Sequence, residues 1–218
     1  MFCMIFFVAI PFTIYLLSYI PFVDAYRPGL FERMLKNQET MFSYHSDLEA
    51  THPYSSTWFQ WPTMDRPIFY YSNNLGDNIR QGISSFGNPL IWWVGIPAFI
   101  YMLYLAIKEK KKDAAFLCVA YLAQYLPWML VSRCTFIYHY FPSVPFITLM
   151  IGYCFLQLKH RLEAKIGSKA FYGLVITYAV AAFALFVLFY PVLSGQPVTT
   201  EYVDKFLRWC DGWVLIIS

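Results

Sequence analysis

Long apolar segments alternate with shorter polar ones along this chain, and this alternation is its most informative pattern. A helix needs about 20 apolar residues to cross roughly 30 Å of hydrocarbon. Five segments approach that length: residues 1–23, 89–107, 114–131, 136–158 and 170–193. Composition agrees, because 13% of the residues are charged, against about 25% in soluble domains. We therefore predict an all-α fold, a polytopic membrane helix bundle with about five transmembrane helices.

The same pattern divides the chain into four predicted regions. Residues 1–23 form a transmembrane helix, and residues 24–88 form a long extracytoplasmic loop that contains an amphipathic helix and an aromatic loop. Residues 89–193 form a C-terminal domain of four transmembrane helices, and residues 194–218 form an extracytoplasmic tail.

Two polar regions carry apolar residues at helical spacing, which predicts amphipathic helices that lie in the membrane interface. In residues 29–52 the recurring positions are Leu30, Met34, Met41, His45 and Leu48. In the tail they are Tyr202, Phe206 and Trp209. Residues 53–71 are rich in Trp, Tyr and Pro without a clean period, so we predict an ordered, non-helical loop there.

Two short basic loops predict the orientation of the chain. Residues 108–113 hold four Lys against two acidic residues, and residues 159–169 hold four basic residues against one acidic residue. Short basic loops stay in the cytoplasm. The long loop, the turn around Arg133 and the tail are therefore predicted to lie outside, in a multi-pass protein of the cell membrane.

Two clusters of residues are candidates for chemistry, and both fall on the predicted outer side. The first extends from His52 to Tyr71, and the second from Arg133 to Pro142, where the third span meets the fourth. An ionisable residue at a membrane boundary is a functional candidate, and a guanidinium pairs bidentately with phosphate oxygens. The alternative is that Arg, Tyr and Trp serve as interfacial anchors and inter-helix hydrogen-bonding groups.

Other candidates are weaker. His45 and His52 lie seven positions apart on the predicted helix, but a metal site needs more ligands, and we predict none. Asp65 or Asp77 could act as a general base, although loop carboxylates are usually just solvated. The five cysteines lack metal-ligand spacing. Nothing in the sequence indicates a nucleic-acid partner, and membrane lipid is the expected surrounding.

Several ordered motifs resemble the protein O-mannosyltransferase family, namely its carboxy-terminal four-span region and the preceding span. In the long loop these are Tyr44-His45, Leu48, His52 to Ser56, Trp58, Trp61-Pro62, Arg66-Pro67 and Tyr70-Tyr71. Beyond it are Gly87 to Pro89, Trp92-Trp93, Arg133 and Phe136 to Pro142. The tail adds Leu193 to Pro197, Tyr202 and Leu207 to Trp209.

This resemblance implies a partial GT-C glycosyltransferase fold. Such enzymes transfer mannose, with inversion, from polyprenyl-phosphate mannose to Ser or Thr hydroxyls of exported proteins. The lipid-linked sugar is the donor, and no further cofactor is expected. Because no folded domain is inserted between the first two spans, the chain resembles a bacterial-type member.

The resemblance also suggests roles for individual residues. The donor headgroup and its lipid phosphate would be bound by Arg133, Tyr138, His139 and Tyr140. The acceptor would meet His52, Tyr54, Trp58, Trp61 and Arg66.

One departure from the family concerns catalysis. The family's acidic Asp-Glu pair lies in its first outer loop, and this sequence contains no adjacent Asp-Glu pair. We therefore expect a truncated fragment or one part of a split enzyme, inactive without the N-terminal half as a partner. Two alternatives stay open. The chain could transfer another polyprenyl-phosphate sugar to a glycan or lipid, or it could be a non-catalytic membrane subunit that binds lipid-linked sugar.

Overall fold

A computed structural model describes residues 2–22, 29–48 and 50–217. The chain divides into two compact units, Met1–Ala50 and Thr51–Ser218. Residues 1, 23–28, 49 and 218 lie outside the described residues. They include both ends of the first predicted span, Met1 and Val23.

The first unit contains an apolar helix and an amphipathic one. The apolar helix comprises α1 (Phe2–Met4), a π-helical segment (Ile5–Ala9) and α2 (Ile10–Leu17). It is followed by turns, and Pro21 cannot continue a helix there, since proline has no N–H to donate. With fewer than 18 residues it is shorter than a full span, so the fifth crossing stays a prediction.

Helix α3 (Leu30–Asp47) is amphipathic, as predicted, but ends five residues earlier than the sequence suggested. Within this unit it binds the end of α2 through polar contacts. The Asn37 side chain donates a 2.8 Å hydrogen bond to the hydroxyl of Tyr19, and the Arg33 guanidinium donates to the backbone carbonyls of Tyr19 and Phe22.

The second unit contains four helices that are long and apolar enough to cross a membrane, and they are the only such helices in the described parts of the chain. They are α4 (Pro89–Ile107), α5 (Lys112–Tyr125), α6 (Val144–Ile166) and α7 (Ser168–Ser194). Two 3-10 segments extend them: Leu126–Leu130 continues α5, and Ile137–Ser143 leads into α6. These bounds agree closely with the last four predicted spans.

Helix α4 is the centre of the bundle and contacts α5, α6 and α7. It begins where Asn88 accepts a hydrogen bond from the Leu90 N–H and where Pro89 occupies the first turn, a favourable pair of start signals. It approaches α6 closely at Gly95, where an added Cβ would lie 2.1 Å from the Ile147 side chain. Small residues allow such close helix packing in membranes.

Both basic loops lie at the same end of the bundle. The Arg161 guanidinium is 3.5 Å from the Glu109 carboxylate, so the loop after α4 meets the end of α6. The structure thus supports the prediction that these loops share one side.

A layer that we call the cap covers the opposite end. It consists of residues 51–88, 131–136 and 195–217, and it includes a three-stranded antiparallel sheet. Strands β1 (Ile68–Gly76) and β2 (Ile79–Ser85) form a hairpin, and β3 (Val198–Thr199) adds to β2. The hairpin turns at Asp77 and Asn78, which both have positive φ, as a type I′ turn requires. The sequence does not predict this hairpin, and residues 68–71 belong to the predicted non-helical loop.

The tail forms part of the cap's core. Helix α8 (Thr200–Tyr202) continues as a π-helical turn, Val203–Leu207, which confirms the predicted tail helix but ends it before Trp209. Beyond it, Trp213 is 1% exposed, and its indole N–H donates to the Met64 carbonyl at 2.7 Å. The Ser84 hydroxyl donates to the Val214 carbonyl at 3.0 Å. The last residues therefore pack beneath the hairpin.

Gly82→Ala is expected to loosen this packing, because its Cβ would lie 2.3 Å from the backbone carbonyl oxygen of Leu215. We expect a loss of about 1–3 kcal/mol in unfolding free energy, measured by denaturant unfolding in detergent. Gly152→Ala is the matched control, since its Cβ would meet open space. Equal stability of the two variants would contradict the close packing.

Candidate functional site

Two hydrogen bonds join the predicted clusters within the cap. The Ser56 N–H donates to the Thr135 carbonyl at 2.9 Å, and the Thr135 hydroxyl donates to the Ser56 carbonyl at 2.8 Å. The two residues are 79 positions apart and both are buried, at 5% and 7% exposure. Buried polar groups depend on such partners, so this pair connects the loop after His52 to the turn before α6. We call it the Ser56–Thr135 clamp.

Trp61 extends the clamp toward His139. Its indole N–H is 3.2 Å from the Ser56 carbonyl and 3.1 Å from the Ser56 hydroxyl. The Trp61 ring stacks on the His139 ring with centroids 5.9 Å apart and an interplanar angle of 23°. Trp128, in the middle of the segment that continues α5, lies 4.2 Å from the same imidazole, centroid to centroid. Two indoles therefore hold the His139 ring in place.

The His139 ring is half-buried, and within the described residues its hydrogen bonds involve Nδ1 alone. Its Nδ1 lies 3.1 Å from the Phe136 N–H nitrogen and 2.9 Å from the Phe136 carbonyl oxygen. No hydrogen bond involving Nε2 is found within the described residues. Arg133 lies close enough for its charge to act on the imidazole. Among the described residues, Arg133 has no carboxylate partner. Within the described parts of the chain, a cation without a carboxylate partner therefore interacts electrostatically with the imidazole.

Tyr138 connects this pair to the hairpin. Its ring is 37% exposed and lies 4.4 Å from His139, centroid to centroid. Tyr70, on β1, interacts electrostatically with Tyr138. Burial raises the pKa of the Tyr70 hydroxyl, the neighbouring Tyr138 raises it further, and a hydrogen bond with Ser85 lowers it. The hydroxyls of Tyr70 and Tyr138 are therefore close enough to interact, next to the His139 ring.

Tyr140 and Trp61 lie too deep to meet a ligand directly. Tyr140 is 2% exposed, its hydroxyl is 2.7 Å from that of Tyr121, and its ring packs on Trp92. Trp61 has 0% exposure. Both residues belong to the framework beneath the site.

The loop residues divide into those that join the cluster and one that does not. His52 is exposed and its ring lies 5.1 Å from that of Phe136, while the Tyr54 N–H donates to His52 Nδ1 at 3.2 Å. Trp58 is half-buried, and its carbonyl accepts a 2.8 Å hydrogen bond from Tyr125. Arg66 is exposed, and within the described chain its side chain makes no hydrogen bond or ion pair.

The two candidate general bases lie elsewhere in the cap. The charge of the Asp65 carboxylate raises the pKa of the Cys210 thiol, and Asp77 lies in the hairpin turn. No group of His, Cys, Asp or Glu residues in the described parts of the chain could hold a metal ion. The cluster around Arg133 therefore has a cation, an imidazole and hydroxyls but no carboxylate, which suits binding of an anion rather than proton abstraction.

Four residues of this site have no individual role in the sequence-based prediction: Ser56, Tyr70 and Thr135, which lie inside the two predicted clusters, and Trp128, which lies outside them. Trp128 had a usable signal, because it follows Pro127 at the end of a span and lies five positions before Arg133. No sequence signal indicates the contact between Ser56 and Thr135, since a small hydroxyl residue in a loop reveals nothing about a partner far along the chain.

Thr135→Val is expected to weaken the clamp, because valine keeps the shape but cannot donate to the buried Ser56 carbonyl. We expect a loss of about 1–2 kcal/mol in unfolding free energy. Unfolding monitored by tryptophan fluorescence measures this loss. Thr148→Val is the control, since the exposed Thr148 hydroxyl donates only to a carbonyl of its own helix. A loss no larger than the control's would show that the clamp contributes little.

Cys210 gives a pH-dependent test of the cap. Burial raises the pKa of its thiol, and the carboxylates of Asp65 and Asp211 raise it further. The thiolate is the reactive form, so alkylation at neutral pH should be slow and should accelerate at higher pH than for an ordinary thiol. Asp65→Asn removes a nearby negative charge and should shift the profile to lower pH. Peptide mass spectrometry measures the rate; an unshifted profile would contradict this placement of Asp65.

Residues 30–213 match a family model described as the C-terminal four TMM region of protein-O-mannosyltransferase. The polyprenol-phosphate-mannose–protein mannosyltransferase of Corynebacterium glutamicum is 27% identical over 189 residues, covering 80% of this chain and 35% of that protein. The dolichyl-phosphate-mannose–protein mannosyltransferase 1 of Saccharomyces cerevisiae is 26% identical over 212 residues, covering 87% of this chain and 25% of that protein.

A solved structure agrees in fold. The S. cerevisiae protein O-mannosyltransferase Pmt1-Pmt2 complex bound to the sugar donor matches with a TM-score of 0.69 at 24% identity, over 89% of this chain and 29% of that one. The chain thus spans between 25% and 35% of the length of these proteins. The similarity confirms a mostly helical, partial GT-C fold in a multi-pass membrane protein. The chain belongs to the protein O-mannosyltransferase family, in which it corresponds to the C-terminal four-helix membrane region.

Proposed function

We propose that this chain forms the donor-binding part of a protein O-mannosyltransferase that uses polyprenyl-phosphate mannose. The observation that carries the proposal is Arg133, which has no carboxylate partner among the described residues and whose charge acts on His139, in an aromatic cap at one end of a membrane bundle. The names of the relatives specify a lipid-phosphate mannose donor and a protein acceptor for those proteins. The net positive loops at the other end support a location of the cap outside the cytoplasm, because short basic loops stay in the cytoplasm.

The site's chemistry suits a lipid phosphate. Arg133 would pair bidentately with two phosphate oxygens, and this pairing is strong where water is scarce. His139 Nε2 and the Tyr138 hydroxyl would donate to the remaining phosphate or sugar oxygens. Tyr140 and Trp61, which are buried, would hold His139 and Tyr138 in position without touching the donor. No metal or further cofactor enters this proposal.

The acceptor would approach from the loop side of the site. His52 lies next to Phe136, which precedes Tyr138 and His139 in sequence, and Tyr54 contacts His52. Trp58 follows them in the same loop. Arg66 is exposed at the end of the same loop and would contact the acceptor at its periphery.

The proposed reaction is an inverting transfer. The acceptor hydroxyl oxygen attacks the anomeric carbon of mannose, and the bond from that carbon to the phosphate oxygen breaks. The phosphate leaves with the bonding electrons, which Arg133 stabilises, and the hydroxyl proton passes to a general base. Since the Arg133 cluster contains no carboxylate, that base would come from the remainder of the enzyme, where the family carries its acidic pair.

Arg133→Ala should weaken donor binding by about tenfold to a hundredfold, because a hydrogen bond to a charged group contributes about 1.5–3 kcal/mol. To measure the affinity, synthetic polyprenyl-phosphate mannose is titrated into the chain in lipid nanodiscs, and quenching of tryptophan fluorescence reports binding. Arg133→Lys should retain part of the affinity.

Arg208→Ala is the matched control. Arg208 is a cap residue that pairs with Asp204 at 3.0 Å and lies outside the cluster, so this variant should bind as the parent does. Donor binding that is unchanged in Arg133→Ala, or no stronger than binding of uncharged polyprenol, would refute the proposal. Mass spectrometry of Ser/Thr peptides incubated with the donor and the complete enzyme tests the transfer itself.

A further inference from the structure

Strand β1 forms an open edge of the cap sheet. The strand order is β1-β2-β3, so β2 covers one side of β1. Within residues 51–217, no segment makes backbone hydrogen bonds to its other side. In an antiparallel strand, alternate residues direct their N–H and C=O groups to each side. Those on the outer side of β1 are therefore available for pairing.

This edge lacks most features that normally discourage pairing. Proteins protect open edges with charged residues, proline or β-bulges. Strand β1 contains no charged residue and no proline. Bulges occur at Phe69/Tyr71 and Asn74/Gly76 and leave Tyr71–Asn74 in regular register between them. The side chains there are mostly exposed, and Tyr71 is 43% exposed.

The open edge is continuous with the proposed donor site. At its start, the Phe69 ring lies 5.9 Å from that of Tyr54. Tyr70 interacts with Tyr138, whose ring is 4.4 Å from His139. An extended chain that paired with β1 near Tyr71 would thus run beside the residues proposed to hold the phosphate.

We propose that an extended segment of the acceptor polypeptide adds to β1 as a further strand along Tyr71–Asn74. That the acceptor is a polypeptide rests on the proposed function. Strand addition obtains affinity from main-chain hydrogen bonds, so it accepts many sequences. Successive side chains of a strand point to opposite faces. In the paired segment, every second side chain would therefore face Tyr138, and a Ser or Thr at such a position would present its hydroxyl there. Tyr70 and Tyr71 would contact the flanking side chains.

Backbone N-methylation of the ligand gives a direct test that leaves the protein unchanged. The probe is an uncharged ten-residue Ala/Thr peptide with a photoreactive end group, bound to the chain in nanodiscs without donor. Two further peptides carry N-methyl groups at alternate residues, one in each register. Loss of two main-chain hydrogen bonds should weaken binding about tenfold in one register, while the other stays within about twofold because its methylated amides face away from β1.

Photo-crosslinks of the unmodified peptide should map to residues 70–74. The proposal is overturned if both methylated peptides bind like the parent, if no peptide binds, or if crosslinks map to the His52–Trp58 loop and none map to β1. It is also overturned if β1 instead crosslinks to a second copy of the chain and excludes the peptide. Polyprenyl-phosphate mannose binding is measured in the same preparation, so failure of the donor site is distinguished from failure of the peptide site.

Discussion

The two hydrogen bonds between Ser56 and Thr135 are the constraint on which the rest of the site depends. They join a loop before the hairpin to the turn between α5 and α6, and they are buried where an unpaired carbonyl would be costly. Because the Ser56 carbonyl and hydroxyl also receive the Trp61 indole N–H, the same contact orients Trp61 against His139. The position of the imidazole thus follows from a contact between distant segments.

Around this clamp, buried aromatic residues form the framework of the cap, and exposed ones remain accessible to a ligand. Trp61, Trp213 and Tyr140 are almost fully buried, and each directs its polar atom to a defined partner. Buried Trp and Tyr need such partners, so they make the cap rigid and fix it to the helices. His52 and Tyr138 stay accessible at the surface of this framework. A rigid support beneath accessible polar groups is the arrangement that a binding site requires.

Charge is distributed unequally between the ends of the bundle. At the basic end, Arg161 approaches Glu109, whereas at the cap end Arg133 has no carboxylate partner among the described residues. A cation that is only partly solvated and lacks a partner favours an anionic ligand, which supports the proposed role in holding a lipid phosphate. The open edge of β1 borders the same cluster, so the two proposed substrates would meet there.

The apolar segments of the sequence were sufficient to predict the four long helices of the second unit, because crossing a membrane requires a local run of apolar residues. The motifs around His52 and Arg133 likewise indicated the family. The hairpin was missed, although Gly76, Asp77 and Asn78 carry a turn signal, because strand pairing depends on a partner and not on one segment. Tyr138 and Tyr140 have the same side chain, yet one is exposed and the other buried. Packing of distant segments made that difference, as it made the contact of Ser56 with Thr135.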